Sequence, residues 1–149
     1  MEKIFNHANA RVRRAYETAL EAHCGQVDKA GVDYINHPLN VAANVGENIS
    51  AIIVALLHDV AEDTSLTIAD LKKKIPLTED EAQALKLLTH DKKIPYLEYV
   101  EAIKANDLSR RVKIEDLKNN SDLSRIKNPS PKDFVRVEKY RAALKILSL

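Results

Sequence analysis

The stretch VALLHDVAEDT, residues 54–64, places polar side chains that could do chemistry directly after apolar ones. Residues 51–57, AIIVALL, leave a helix without a polar side, and a helix that is apolar all round is buried. Ionised groups at the end of such a helix are costly to bury unless they are paired or bound to a metal. The polar side chains that follow are one imidazole and three carboxylates, from His58, Asp59, Glu62 and Asp63.

Helical spacing brings these four side chains together, because residues four apart lie on one face of a helix. His58 therefore lies over Glu62. Asp59 lies over Asp63 in the adjoining stripe. Three acids this close together raise the pKa of at least one of them, unless a divalent cation supplies positive charge. Since imidazole with carboxylate suits manganese, iron or zinc, the spacing predicts a metal site at this end of the helix.

Two further ligands could come from other parts of the chain. His37 stands just before Pro38, at the start of a predicted helix that follows a loop. Asp116 lies in VKIEDLKNN, where apolar residues at helical spacing indicate partial burial. A metal site in a helical bundle is built from side chains on separate helices, as these would be. Taken alone, a capping histidine and a solvated aspartate are the ordinary alternatives.

The pattern is helical nearly throughout and predicts an all-α, compact single domain over residues 1–149, with about eight helices. The first helix is predicted from Ile4 to a stop near Gly25, and a loop follows over residues 25–36. Ser50 is predicted to cap the apolar third helix. Later helices are predicted to start at Thr67, at Thr78 with Glu81, at Pro95, at Asp107 or Ser109 (running through Ile126), and at Ser130 with Pro131 and Asp133.

The overall composition excludes several classes of function. Among 149 residues, 23 Lys and Arg face 22 acids, a formal charge of +1 that gives no general attraction to nucleic acid or to a membrane surface. Cys24 is the only cysteine, which excludes an intramolecular disulfide and fits a reducing compartment. No signal peptide is evident, so we expect a cytoplasmic protein. The last helix could pack within the monomer or against a second copy, which leaves a homo-oligomer open.

Three segments together resemble the HD superfamily of metal-dependent phosphohydrolases. More narrowly, they resemble the hydrolase domain of RelA/SpoT-type alarmone enzymes and their small stand-alone relatives. The segments are AHCGQVDKAGVDYINHP (22–38), ALLHDVAEDT (55–64) and VKIEDLKNN (112–120). The resemblance implies an HD-domain helical bundle that removes pyrophosphate from the 3′ position of guanosine tetra- or pentaphosphate.

The resemblance also implies roles for individual residues. One metal ion, manganese in the alarmone hydrolases, would be held by His37, His58, Asp59 and Asp116. Glu62 and Asp63 would handle the attacking water and the proton transfers. Substrate contacts would come from Lys29 and, more weakly, Arg125 at the outer phosphates, from Tyr34 near the base or against His37, and from Asn120 at the ribose or a phosphate. Solvated side chains are the alternative for Lys29 and Arg125, and a half-buried core aromatic for Tyr34.

The chain departs from the family pattern at three positions. Asp28 stands where the alarmone hydrolases have an arginine that helps hold the guanine base, Asp33 replaces a proline, and Asn119 replaces a histidine. Two alternative functions follow. One is a nucleoside 5′-monophosphatase of the same superfamily. The other is a regulatory module that binds nucleotide or metal without turnover, which does not require water-activating acids such as Glu62 and Asp63.

Overall fold

The computed structural model describes residue 4 and residues 6–149. Over these residues the chain forms eight α-helices and no strand, which confirms the all-α prediction. No helix in this part of the chain is long and apolar enough to cross a membrane. The helices are α1 (Ala10–Ala22), α2 (Asn36–Asn44), α3 (Ile49–Asp63), α4 (Ile68–Lys74), α5 (Glu79–Leu88), α6 (Tyr96–Lys104), α7 (Asp107–Asn120) and α8 (Pro131–Leu147).

Helix α3 forms the centre of the fold. Residues 51–60 are all buried, because α1, α2, α5 and α7 pack around this helix. Ile53, Leu56 and Leu57 are completely buried, and each stabilises the fold by about 1.5–3 kcal/mol. The prediction that the apolar segment is a buried helix is confirmed. The polar residues at its C-terminal end therefore emerge from the middle of the core.

Side-chain caps fix where most helices begin. Three capping boxes start α4, α5 and α8, and they pair Thr67 with Asp70, Thr78 with Glu81, and Ser130 with Asp133. In the first two boxes the threonine side chain accepts from a helix N–H while the acid accepts from the N–H of the cap residue. In the third, Asp133 accepts from both the N–H and the hydroxyl of Ser130. All three predicted starts are thus confirmed.

Two predicted helix starts are wrong because an asparagine caps the helix instead. Helix α1 begins at Ala10 rather than Ile4, since the Asn9 side chain accepts from the N–H groups of Arg11 and Val12. Helix α3 is capped by Asn48 rather than Ser50, since the Asn48 side chain accepts from Ala51 N. Asparagine is as good a cap as serine, and its extended backbone at these positions decides the boundary.

Helix α7 was predicted to run to Ile126, and it ends at Asn120. Its cap at the other end is Asn106, one residue before the predicted start at Asp107. Beyond Ser121 the Asp122 side chain accepts from Ser124 N, a local turn that competes with helical hydrogen bonding. Arg125 therefore lies on a loop, where it can reach the loop that precedes α2.

Candidate metal centre and cleft

The four predicted metal ligands meet at the C-terminal end of α3. His37 comes from α2, His58 and Asp59 come from α3, and Asp116 comes from α7. All four are buried, and one ligand atom from each lies within 4.8 Å of the others. We call these four residues the His–Asp cluster. Its members come together because α2 and α7 both pack against α3.

One nitrogen of the cluster has no hydrogen-bond partner among the residues that the structure describes. His58 Nδ1 donates to the carbonyl of Ala55 at 2.6 Å, which leaves Nε2 as the inward-facing atom. Nε2 is buried without a hydrogen bond, 3.3 Å from Asp59 Oδ1 and 3.4 Å from Asp116 Oδ1. A buried polar atom without a partner needs an explanation. An imidazole nitrogen beside two carboxylate oxygens fits a divalent cation, which accepts all three as ligands.

The second imidazole is oriented by a side chain outside the cluster. His37 Nδ1 lies 2.6 Å from the side-chain oxygen of Asn119, so Nδ1 carries the proton and donates. His37 Nε2 then faces inward, 2.8 Å from Asp116 Oδ1 and 3.4 Å from Asp59 Oδ2. Metal-ligating histidines commonly have their other nitrogen fixed in this way. Asn119, which replaces the motif histidine, thus has a positioning contact.

Donors also hold the two carboxylates of the cluster. The Tyr34 hydroxyl donates to Asp59 Oδ2 at 2.8 Å. Asp116 accepts from Lys113 Nζ at 2.8 Å and from Asn120 Nδ2 at 3.0 Å. Lys113 is itself buried, so this ion pair is shielded from solvent. These contacts fix the orientation of both carboxylates toward the centre of the cluster.

The pKa shifts in the cluster follow from buried groups of opposite charge that lie close together. Burial alone would lower the pKa of His58, yet the charges of Asp59 and Asp116 outweigh burial and raise this pKa to about 9. The pKa of His37 is also raised, since the hydrogen bond to Asp116 outweighs its burial. For Asp116 itself, burial is overcome by Lys113 and the pKa is held well below the usual range. A bound divalent cation would offset the negative charge of the two carboxylates. In the absence of a cation, the protonated imidazoles offset that charge.

Glu62 and Asp63 end α3 with their carboxylates exposed to the cleft beside the cluster. Partial burial raises the pKa of Glu62 to about 6, and the charge of Asp59 adds to this rise against the opposing charge of Lys113. Burial and the charge of Asp59 likewise raise the pKa of Asp63. A raised pKa was predicted from crowding of the acids, but burial contributes more to both rises than the neighbouring carboxylates do. An acid with a raised pKa beside a metal site can exchange protons near neutral pH.

The cleft has two adjoining chambers that share the walls Tyr34, Asn120 and Tyr140. The inner chamber, about 310 Å³, contains Asp59 and Asp116 of the cluster together with Glu62, Asp63, Lys113 and Lys139. The outer chamber, about 320 Å³, is lined by apolar and charged side chains that include Val27, Ile126, Lys29, Arg125, Arg136 and the acids Asp28 and Asp122. Of the predicted substrate residues, Lys29 and Arg125 line the outer chamber, and Tyr34 and Asn120 line both.

In the outer chamber, ion pairs tie the loop over residues 25–35 to the rest of the molecule. Asp28 Oδ1 accepts from the N–H groups of Ala30 and Val32, at 2.8 and 3.0 Å, and Asp28 Oδ2 pairs with Arg125 Nη1 at 3.2 Å. Lys29 Nζ lies 3.6 Å from Asp133 Oδ1. Asp28 therefore shapes the loop and brings an arginine to the chamber from the opposite side.

Sequence reasoning missed several contacts of the site. Lys113 stands three residues before Asp116, a helical spacing that could have indicated their ion pair. Asn119 replaces the motif histidine, and this difference gave no sign of its contact with His37. The local sequence does not indicate a site role for Lys139 and Tyr96, because only the packing of α8 against α6 and α7 brings them to the inner chamber.

The fold and the site define a class: an all-α protein whose central helix delivers a His-Asp pair to a buried metal-binding cluster. No protein-family model matches the chain. The chain is 44% identical over 80 residues to a guanosine-3′,5′-bis(diphosphate) 3′-pyrophosphohydrolase of Aquifex aeolicus, covering 50% of this chain and 12% of that protein. It is 40% identical over 91 residues to the bifunctional (p)ppGpp synthase/hydrolase SpoT of Escherichia coli, covering 56% and 13%.

The fold is also similar to a solved structure. That structure is of a metazoan orthologue of SpoT that hydrolyses ppGpp; the TM-score is 0.74, with 22% identity, 95% of this chain covered and 85% of the other. The predicted resemblance to RelA/SpoT-type enzymes is confirmed by these matches. The chain spans only about an eighth of the length of the Aquifex and Escherichia relatives.

Proposed function

We propose that the chain is a divalent-metal-dependent phosphohydrolase that removes pyrophosphate from the 3′ position of guanosine 3′,5′-bis(diphosphate). The observation that carries the proposal is the buried His–Asp cluster, in which His58 Nε2 has no protein partner while Glu62 stands at the adjoining cleft. The names of the relatives support the substrate. We further propose manganese as the metal.

The reaction class follows from the side chains around the inner chamber. When bound, the metal would lower the pKa of water and neutralise charge on the phosphoryl oxygens. The four ligands would be His37, His58, Asp59 and Asp116. Glu62 would accept the proton from the attacking water, because a carboxylate with a pKa near 6 is ionised at neutral pH yet basic enough to act. Asp63, beside it, would orient that water.

The two chambers suit the two parts of a nucleotide. The inner chamber contains the cluster and would hold the scissile phosphate ester. The outer chamber combines apolar walls with two arginines and would hold the nucleoside with its 5′ phosphates, where Lys29 and Arg125 are the proposed contacts. Asn120 and Tyr34 line both chambers and would lie beside the ribose.

The test is to measure pyrophosphate and orthophosphate release from guanosine 3′,5′-bis(diphosphate) and from a panel of nucleoside mono-, di- and triphosphates, with added manganese. We expect pyrophosphate from the tetraphosphate, and no release by Asp59→Ala. Orthophosphate from 5′-monophosphates alone would replace the proposal by the nucleotidase alternative. Metal binding with no release from any nucleotide would favour the regulatory alternative. Comparing manganese with zinc and magnesium in the same assay tests the choice of metal.

The single-domain assignment over 1–149, the cytoplasmic location and the homo-oligomer stay predictions. Size-exclusion chromatography with light scattering measures the last of these directly.

A further inference from the structure

Lys139 is a cation of the inner chamber without an acidic partner. It lies on α8, and its ammonium forms no ion pair within the part of the chain that the structure describes. Its contacts are with aromatic faces, at 4.4 Å from the ring centroid of Tyr96 and 5.8 Å from that of Tyr140. Stacking on Tyr96 fixes where the ammonium stands while leaving its hydrogen-bond donors free.

A donor without a partner lies on the ring that Lys139 covers. The Tyr96 hydroxyl is buried and has no hydrogen-bond partner among the residues that the structure describes, although Tyr96 lines the same chamber. A buried hydroxyl without a partner costs free energy that a bound acceptor would recover. Burial also raises the pKa of Tyr96 to about 12, so the hydroxyl keeps its proton and can donate. An ammonium over the Tyr96 ring and a free hydroxyl on that ring are donors suited to an anionic ligand.

The pairing of charges in the chamber leaves one lysine available to an anionic ligand. Four carboxylates line it, from Asp59, Glu62, Asp63 and Asp116, against the two lysines Lys113 and Lys139. The Lys113 ammonium is already taken by Asp116 at 2.8 Å. Among the residues that the structure describes, Lys139 is therefore the lysine of this chamber that has no acidic partner, and it lies on the α6 and α8 side.

We propose that Lys139 and Tyr96 bind the outer phosphate of the pyrophosphate leaving group. The inference rests on the proposed function and adds the residues that make the enzyme prefer a 3′-diphosphate to a 3′-monophosphate. Hydrolysis adds water across the ester, giving a 3′-hydroxyl and free pyrophosphate. The outer phosphate takes no part in bond breaking, so contacts to it contribute to binding and orientation.

Binding of inorganic pyrophosphate and of orthophosphate, measured by calorimetry on the full chain with manganese, tests this subsite directly. Losing one charge-assisted contact should weaken pyrophosphate binding about tenfold in Lys139→Ala. Tyr96→Phe should weaken it by less, Lys139→Arg should retain most of it, and orthophosphate binding should stay unchanged. Lys145→Ala, an exposed lysine on the same helix, is the matched control.

Hydrolysis assays distinguish a failure of the diphosphate subsite from a failure of the proposed function. Lys139→Ala should raise KM for guanosine 3′,5′-bis(diphosphate) by the same factor while the rate on a nucleoside 3′-monophosphate stays as in the wild type. Unchanged pyrophosphate affinity and KM in Lys139→Ala would overturn the subsite and leave the hydrolase intact. Equal losses for pyrophosphate and orthophosphate would also overturn it. If no nucleotide is hydrolysed, the proposed function fails, and the calorimetric comparison alone decides whether the diphosphate subsite exists.

Discussion

Helix α3 meets buried acidic side chains at both ends, and the two environments differ in how completely donors and acceptors are matched. At the N-terminal end, Glu81 accepts from both Arg11 guanidinium nitrogens at 2.6 and 3.2 Å, from the Ser50 hydroxyl at 2.6 Å and from Thr78 N at 3.0 Å. We call these four residues the Glu81 cluster. Although burial opposes ionisation of Glu81, these hydrogen bonds hold its pKa below the usual value.

The His–Asp cluster at the other end has donors and acceptors that the chain does not match. Its two carboxylates face two imidazoles, and His58 Nε2 has no partner. The two clusters differ in the way that a buried charge that stabilises a fold differs from one that binds a ligand. A buried ion whose hydrogen bonds all come from the chain is structural, whereas surplus lone pairs directed at one point indicate a missing ligand.

Asp59→Ala is expected to have the largest effect, because it removes a ligand of the His–Asp cluster. We expect metal affinity to fall by more than about a hundredfold, beyond the loss typical of residues that only support a ligand, and hydrolysis to be lost. The metal-free protein should lose less stability than it does in Glu81→Ala, because the loss of the Tyr34 hydrogen bond is offset by relief of repulsion from Asp63 and Asp116. Calorimetric metal titration and urea unfolding measure the two quantities. Asp80→Ala, an exposed acid near the opposite end of α3, should change neither.

The opposite outcome is expected for Glu81→Ala. Removing one partner of a buried ion pair should lower the free energy of unfolding by about 3 kcal/mol, since Arg11 keeps its charge. Metal affinity should not change, because the Glu81 cluster lies at the other end of α3. Urea unfolding beside metal titration checks both, with the exposed Gln83→Ala on the same helix as control. A variant that lost metal binding while staying folded would show that the two ends are coupled.

Asn119→Ala tests whether a hydrogen bond orients the His37 imidazole within the His–Asp cluster. The hydrogen bond to His37 Nδ1 should be lost, and the freed imidazole should bind metal about tenfold more weakly. Lys118→Ala, at the exposed neighbouring position, is the control. Metal titration with both variants gives the answer. Equal affinities would mean that packing alone orients the imidazole.

The smallest effect concerns acid stability. Because the pKa of Glu81 is lower in the folded chain than its usual 4.5, its stabilisation is present above pH 4.5 and is lost as pH falls through the folded value. Glu81→Gln cannot ionise, so the stability difference between wild type and variant should be largest near neutral pH and shrink below pH 4.5. Urea unfolding at several pH values measures this difference. A difference that stayed constant down to pH 3 would contradict the role of the charge.

The sequence predicted helix starts correctly where the capping residues lie within a few positions of one another. Capping boxes such as Thr78 with Glu81 depend on residues three apart, and the structure has them. Boundaries failed where two good caps compete, as at Asn48 and Ser50. Asn48 caps the helix, while the Ser50 hydroxyl donates to Glu81, a residue of another helix. A contact of that kind is not visible in a local pattern.

The sequence by itself determined the buried α3 and the face that carries His58, Asp59, Glu62 and Asp63, because helical periodicity and apolar content act over a few neighbouring residues. Only the tertiary structure decided which distant side chains complete the site. The packing of α2 and α7 against α3 brings His37 and Asp116 to within ligand distance. The packing of α8 against α6 places Lys139 over Tyr96. Such contacts depend on the positions of whole helices, which no short spacing in the chain encodes.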